Sequence, residues 1–554
     1  MGRYAMGVDF GTLSARALVV DVETGRELGG AVMEYPHGVL QERLPNGAPL
    51  PHGWALQHPG DYLECLRHVV PEALAQAGVN AAEVIGLGID CTASTSLPVL
   101  ADGTPLCFLP EYENNPYAYA MLWKHHGAQA QADRMTELAQ ARKEPFLARY
   151  GGRISSEWML PKLLQVLEEA PEVYERADRF VEAGDWIVSQ ITHSEARSAG
   201  IAGYKALWNP RDGYPSREYL AALQPRFATV AEEKLAGLLL PLGARAGGVH
   251  PEAAWLGLRP GTSVAAANID AHVSVPVAGA PRAGELMMIM GTSTCHILLA
   301  QEERAVPGMC GVVDGGAAPG FLAYEAGQSC VGDLLGWFVD QYLSAECARQ
   351  AKEEGQSAHE FLTARAAKLR AGESGLIALD WWNGNRSILV DAHLTGLILG
   401  MTLRTKPEEI YRALMEATAF GTRTIVEAFE RSGVPVRSVF ACGGIAHKNP
   451  LMLQIYADVL GREIRVARTR QAGALGSAMF GAVAAGAARG GYDTIAQAAS
   501  AMGGLLDAVY RPNPRDAAIY QKLYALYAAL HDQFGRDAHS PMRALRNIQS
   551  ESLG

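Results

Sequence analysis

The chain has 554 residues, 49% of them hydrophobic and 19% charged, and a formal net charge of −11. At roughly 150 residues per domain this length predicts two large domains or more, and the apolar share excludes a disordered chain. Acidic side chains outnumber basic ones by 59 to 48, which argues against a nucleic-acid or anionic-membrane binder, because those carry a basic face.

The chain opens MGRYAMGVDFG, with no basic n-region and no apolar h-region, so a cytoplasmic protein is expected. Tyr4–Phe10 reads as an apolar strand running into Gly11-Thr12-Leu13-Ser14, and residues 15–22 are apolar again before the turn Glu23-Thr24-Gly25-Arg26. Residues 61–77 carry helical periodicity. The strand at 84–89 ends in Asp90-Cys91-Thr92, and the one at 264–269 ends in Asp270-Ala271-His272. Residues 278–284 (AGAPRAG) are small and Pro-containing, the composition of a domain junction. The opening pattern then returns: Glu285–Met290 runs into Gly291-Thr292-Ser293-Thr294, followed by an apolar segment at 295–300. Helices are predicted over 408–430, 449–460 and 517–534, and Ser438–Cys442 is a strand ending in Gly443-Gly444. Residues 471–488 are uncharged but Gly/Ala-rich, which suits a helix packed closely on a sheet better than a membrane span.

Two strand–Gly-Thr turn–strand hairpins, about half a chain apart, point to two α/β domains of one architecture, 1–281 and 282–554. Strands alternating with helices place ligands at strand ends, where the Asp and Gly turns lie. A turn with Gly and two hydroxyl residues can aim N–H and O–H groups at phosphate oxygens without any net charge. The GxxxxGK[ST] pattern is absent, so this is not a P-loop NTPase. Asp9, just ahead of the first turn, faces phosphates only if a divalent cation such as Mg²⁺ lies between them; otherwise it caps its own turn. Asp270 closes an apolar strand and could accept a hydroxyl proton. Gly443-Gly444 admits a flat ring such as adenine, or is merely a turn. The eight cysteines show no CxxC spacing and the histidines no HExxH, so reduced thiols and no zinc site are expected.

Asp9-Phe10-Gly11-Thr12, Gly291-Thr292-Ser293-Thr294 and Ala441-Cys442-Gly443-Gly444 resemble, in this order, the two phosphate motifs and the adenosine motif of the actin-like ATPase fold. Residues 396–400 (GLILG) followed by 411–417 (YRALMEA) resemble the carboxy-domain signature of the FGGY carbohydrate kinases. Stretches at 113–116, 122–126, 150–158, 202–208, 324–329 and 380–386 resemble the branch of that family that phosphorylates L-ribulose, and the likeness runs from about residue 4 to about residue 535.

The resemblance implies two actin-like (ribonuclease H-like) ATPase domains with a catalytic cleft between them. It implies ATP and Mg²⁺ as cofactors and L-ribulose as the sugar, phosphorylated at O5 in L-arabinose breakdown, with xylulose, D-ribulose or glycerol as alternative substrates. A nucleotide-driven chaperone or filament subunit is a remoter alternative; homodimer formation stays open. By the same resemblance Asp270 is the catalytic base, and Gly11, Thr12, Ser14 and Arg16 form the first phosphate loop. Gly291, Thr292 and Ser293 form the second. Gly443, Gly444 and Asn449 hold adenosine, Asp9 orients hydrated Mg²⁺, and Trp123, Lys205 and Glu325 join Asp270 in binding the sugar. An aromatic wall with charged hydrogen-bonding groups is what a sugar's C–H face and hydroxyls require.

Overall fold

Tyr4–Phe10 forms strand β1, returns antiparallel as β2 (Ser14–Asp21) and continues into β3 (Glu27–Glu34). Asp21 closes the second turn, its Oδ1 accepting from the N–H groups of Glu23 and Thr24, while Gly25 takes φ +68°. Helix α1 (Pro59–Ala77) starts on a His58 cap and stops at Gly78 in the left-handed conformation. Strand β4 (Val84–Cys91) then pairs parallel with β1. Strands β5 (Arg245–Gly248), β6 (Ser263–Ala265) and β7 (Asn268–Ile269) complete a sheet ordered β5-β6-β4-β1-β2-β3, with β7 also on β4. The single strand expected at 264–269 is thus broken in two, and its parallel register on β4 shifts by one residue between Val264 opposite Leu87 and Asn268 opposite Asp90.

The computed structural model describes residues 2–553. The chain divides into two compact units. The first runs to Arg282 and is completed by Val312–Ala323 and Gln471–Gly504. It holds two apolar cores: one under the sheet, and one built by residues between Leu40 and Leu235. The second core wraps helix α2 (Met159–Glu169), buried along nearly its whole length, and sits beside short strands that include Ala120–Met121 and Arg179–Glu182.

The second unit repeats the pattern. Strands β8 (Glu285–Met290) and β9 (Thr294–Ala300) form an antiparallel hairpin beside β10 (Leu322–Gln328), whose residues from Tyr324 on belong to this unit. Strands β11 (Ser438–Cys442) and β12 (Ile464–Ala467) add in parallel, and β13 (Leu505–Tyr510) closes the edge antiparallel. The order β10-β9-β8-β11-β12-β13 is that of β3-β2-β1-β4-β6-β5. Helices α4 (Gly332–Tyr342), α5 (Pro407–Arg431), α6 (Gly444–Lys448) and α7 (Pro450–Leu460) belong to this unit. Helix α5 begins with Pro and two glutamates and ends with Arg431, which suits its dipole.

The Gly/Ala-rich segment explains many glycines. Residues Ala472–Ala485 form a helix, the return helix, that lies on β1 and β4 in the first unit. A Cβ at Gly7 would stand 1.8 Å from Ala474 O, one at Gly88 1.8 Å from Ser477 O, and one at Gly86 2.0 Å from Gly481 O. Backbone therefore touches backbone, and no side chain fits between. Among the described residues no helix is long and apolar enough to cross a membrane, and none of the eight cysteines forms a disulfide. Gly88→Ala should lower stability by about 3 kcal/mol or more, the upper end for overpacking. A urea titration checks it: an unchanged midpoint would mean the helix can move away from the strands.

Candidate active site

The return helix is pressed on two strands whose ends carry acids. Asp9 of β1 and Asp90 of β4 are register partners, as are Gly7 and Gly88 two residues earlier. Asn268 of β7 pairs with Asp90 from the other side, and Asp270 N–H donates to Cys91 O at 3.1 Å. Three carboxyl groups therefore gather at the ends of adjacent parallel strands, the place where open α/β sheets bind ligands.

They cannot all be ionised together. Burial raises the pKa of Asp9 and pushes that of Asp90 far above the usual carboxylate range; the charges of Asp9 and Asp270 push Asp90 further, against the opposing Ser477 hydrogen bond. Ser477 Oγ donates to Asp90 Oδ2 at 2.5 Å, while Asp90 Oδ1 receives no donor. A proton on Asp90, donated to Asp9, resolves both observations. Asp9 then remains the anion, with Arg16 Nε 3.6 Å from its Oδ2. At the start of the return helix Gly473 makes room for it, since a Cβ there would lie 2.8 Å from Asp9 Oδ2.

The first Gly-Thr turn is braced from three sides. Gly11 N–H donates to Ser14 O at 3.0 Å, Tyr35 OH to Gly11 O at 2.8 Å, and Gln57 Nε2 to Thr12 O at 2.8 Å. Trp123 Nε1 donates to Thr12 Oγ1 at 3.1 Å, so a residue expected at the sugar touches one expected at the phosphates. Lys205 ends helix α3 (Ala199–Lys205), which Ser198 caps and which packs on β7. Its side chain is buried, with Nζ 5.7 Å from the Tyr204 ring centroid.

In the second unit, Gly291-Thr292-Ser293 ends β8 as an open turn, Gly291 N–H bonding Ser293 O at 2.9 Å. Thr292 O accepts from the N–H groups of Val331 and Asp333, which ties the turn to the start of α4. Gly443 takes φ +92°, and a Cβ on it would lie 2.5 Å from Met290 O, so the Gly-Gly turn leans on the end of β8. Gly444 has open space around it. Asn449 Oδ1 accepts from Met452 N–H at 3.0 Å, capping α7. Glu325 on β10 is buried, and Arg386 Nη2 donates to its Oε1 at 3.0 Å. Gly327 leaves the room Arg386 needs, for a Cβ would meet its Cδ at 3.0 Å.

Residues 4–275 match the N-terminal domain, and 286–485 the C-terminal domain, of the FGGY family of carbohydrate kinases. The chain belongs to that family. It is 54% identical to a ribulokinase of Halalkalibacterium halodurans, over 99% of this kinase and 98% of that protein. A ribulokinase of Geobacillus thermodenitrificans is 53% identical over 98% and 97%. The kinase also superposes on a xylulose kinase from Rhodospirillum rubrum with a TM-score of 0.75 and 22% identity, covering 96% and 98%. A glycerol kinase of Plasmodium falciparum with ADP gives 0.72 at 16% identity, over 95% and 98%. These two likenesses establish the fold, two-domain and mixed α/β; membership of the family makes the chain an ATP-dependent sugar kinase.

Asp90 is legible in the sequence as a strand end without a role, and Arg386 only as the last residue of the 380–386 stretch. A signal for Asp90 was present: Gly7-Val8-Asp9 and Gly88-Ile89-Asp90 share one pattern, because both strands put a glycine under the return helix and an acid at the end. An aspartate in the unfolded chain ionises near about 3.9, so stability falls as pH rises from there toward the raised pKa of Asp90. Asparagine mimics the protonated acid. The kinase carrying Asp90→Asn should match wild type in melting temperature near pH 4 and exceed it above neutrality. Turnover should stay within about fivefold, since each hydrogen bond retained is worth about 1 kcal/mol. Loss of alkaline stability in the variant would mean that Asp90 is ionised in the folded kinase.

Proposed function

We propose that this kinase transfers the γ-phosphoryl group of ATP to O5 of L-ribulose, giving L-ribulose 5-phosphate, a step of L-arabinose breakdown. The observation that carries the sugar assignment is the 54% identity with a ribulokinase over nearly the whole of both chains. Asp270 serves as the base that takes the O5 proton. Its position beside the Asp9–Asp90 pair supports this, because a shared proton there spares Asp270 one neighbouring negative charge. Trp123 offers its indole face to the sugar's C–H face while its N–H holds Thr12. Lys205 donates to the sugar's oxygens, and Glu325, oriented by Arg386, accepts from its hydroxyls.

Gly11, Thr12, Ser14 and Arg16 present N–H, hydroxyl and guanidinium groups suited to phosphate oxygens, and Gly291, Thr292 and Ser293 present N–H and hydroxyl groups of the same kind. Gly443 and Gly444 let the adenine ring approach the backbone, with Asn449 holding the following helix in place. Asp9 suits Mg²⁺: it is a hard carboxylate oxygen donor at a strand end, kept anionic by its protonated neighbour. Asp9 would hold Mg²⁺ through a water, and the ion would supply neutralisation of charge on the phosphate oxygens.

A coupled ADP assay across L-ribulose, D-ribulose, xylulose and glycerol should give the highest kcat/KM for L-ribulose. A clear preference for xylulose or glycerol would overturn the sugar assignment. Asp270→Asn should lower kcat by at least about 10²-fold, the low end for a positioned base, while ATP affinity stays near wild type. Turnover like that of the wild type would remove Asp270 from the chemistry.

A further inference from the structure

Behind the Trp123 turn lies an ammonium group that phosphoryl transfer does not itself use. Lys162, in the first turn of α2, is 0% exposed. Its Nζ donates to Ser94 O at 2.7 Å, to Leu122 O at 2.9 Å and to Met121 O at 3.1 Å. Three bonds use all three protons of an ammonium. The carbonyls come from two separate segments: the loop that leaves β4 just after Asp90 and Cys91, and the strand end that delivers Trp123 directly.

The counter-charge is built in as well. Glu182 is buried, and its Oε2 accepts from Thr95 N–H at 2.8 Å, so it grips the same post-β4 loop from the other side. Burial drives the lysine pKa down and the glutamate pKa up, and each group's charge counters that drift in the other. Glu182 is also within electrostatic reach of Lys205. A buried lysine with a buried glutamate in electrostatic reach is a poor way to fill space, since apolar side chains of the same volume pack without desolvation cost. What methionine or leucine could not do is hold three carbonyls from two segments at fixed distances.

We propose that Lys162 is a positioning residue for the sugar site, fixing Trp123 and the loop after β4 relative to Thr12, with Glu182 as its partner and as the link to Lys205. This rests on the reading of Trp123 and Lys205 as sugar contacts.

The test is Lys162→Met, close in volume and able to fill the cavity, measured with each substrate varied in turn. The sugar KM should rise at least about tenfold, as displacement of a positioning group by a fraction of an ångström can do, while the KM for ATP stays within about twofold. Combined with Trp123→Phe, the two effects should be less than multiplicative, because Lys162 acts through Trp123. A lower melting temperature with an unchanged sugar KM would overturn the proposal, as would fully multiplicative effects. If Lys162→Met does not fold, Glu182→Gln replaces it under the same criterion. Trp123→Phe alone is the control for the underlying reading: an unchanged sugar KM there removes that reading whatever Lys162 does. The sugar used is the one wild type turns over best, so a wrong substrate assignment shows first in wild type.

Discussion

The first unit depends on one contact, the return helix laid directly on the backbones of β1 and β4. Glycines 7, 86 and 88 on the strands and 481 on the helix leave no side chain at the crossing, while Gly476 lets the helix approach the backbone of Val273. That close approach brings Ser477 to Asp90 and the start of the helix to Asp9. A helix N-terminus carries partial positive charge, so it stands where the carboxylates are crowded. The packing that requires these glycines is also what makes three aspartates at neighbouring strand ends tolerable.

A proton completes that arrangement. With Asp90 neutral, the pair carries a single negative charge, shared with Arg16 and open to a hydrated cation. Net charge −11 in an enzyme that handles an anionic nucleotide then raises no conflict. The residues read as phosphate contacts are mostly turn glycines and hydroxyl residues with a single arginine, so binding does not call for a basic surface.

The repeated hairpin was legible because each copy is local: an apolar strand, a Gly-Thr turn and an antiparallel return need only about twenty residues of context. The family was legible from a second local signature, residues 396–400 followed by 411–417. The membership of Gln471–Gly504 in the first unit was not, since nothing local in a Gly/Ala-rich helix names the strands it will cover. Nor was the break between β6 and β7, a one-residue register shift against β4, a strand distant in sequence. Asp90, Arg386 and Lys162 escaped for a common reason: each acts through another residue distant in sequence. Asn449 shows the converse, a residue read as a ligand contact whose side chain is visibly occupied in capping a helix.

The claim that the ends of β1, β4 and β7 carry the chemistry is tested most directly by a structure of the enzyme with L-ribulose and a non-hydrolysable ATP analogue. The account predicts the sugar O5 within about 3 Å of an Asp270 carboxylate oxygen, in line with the terminal phosphate, and the Trp123 indole against the sugar. O5 turned away from Asp270, with another side chain at hydrogen-bonding distance, would contradict it.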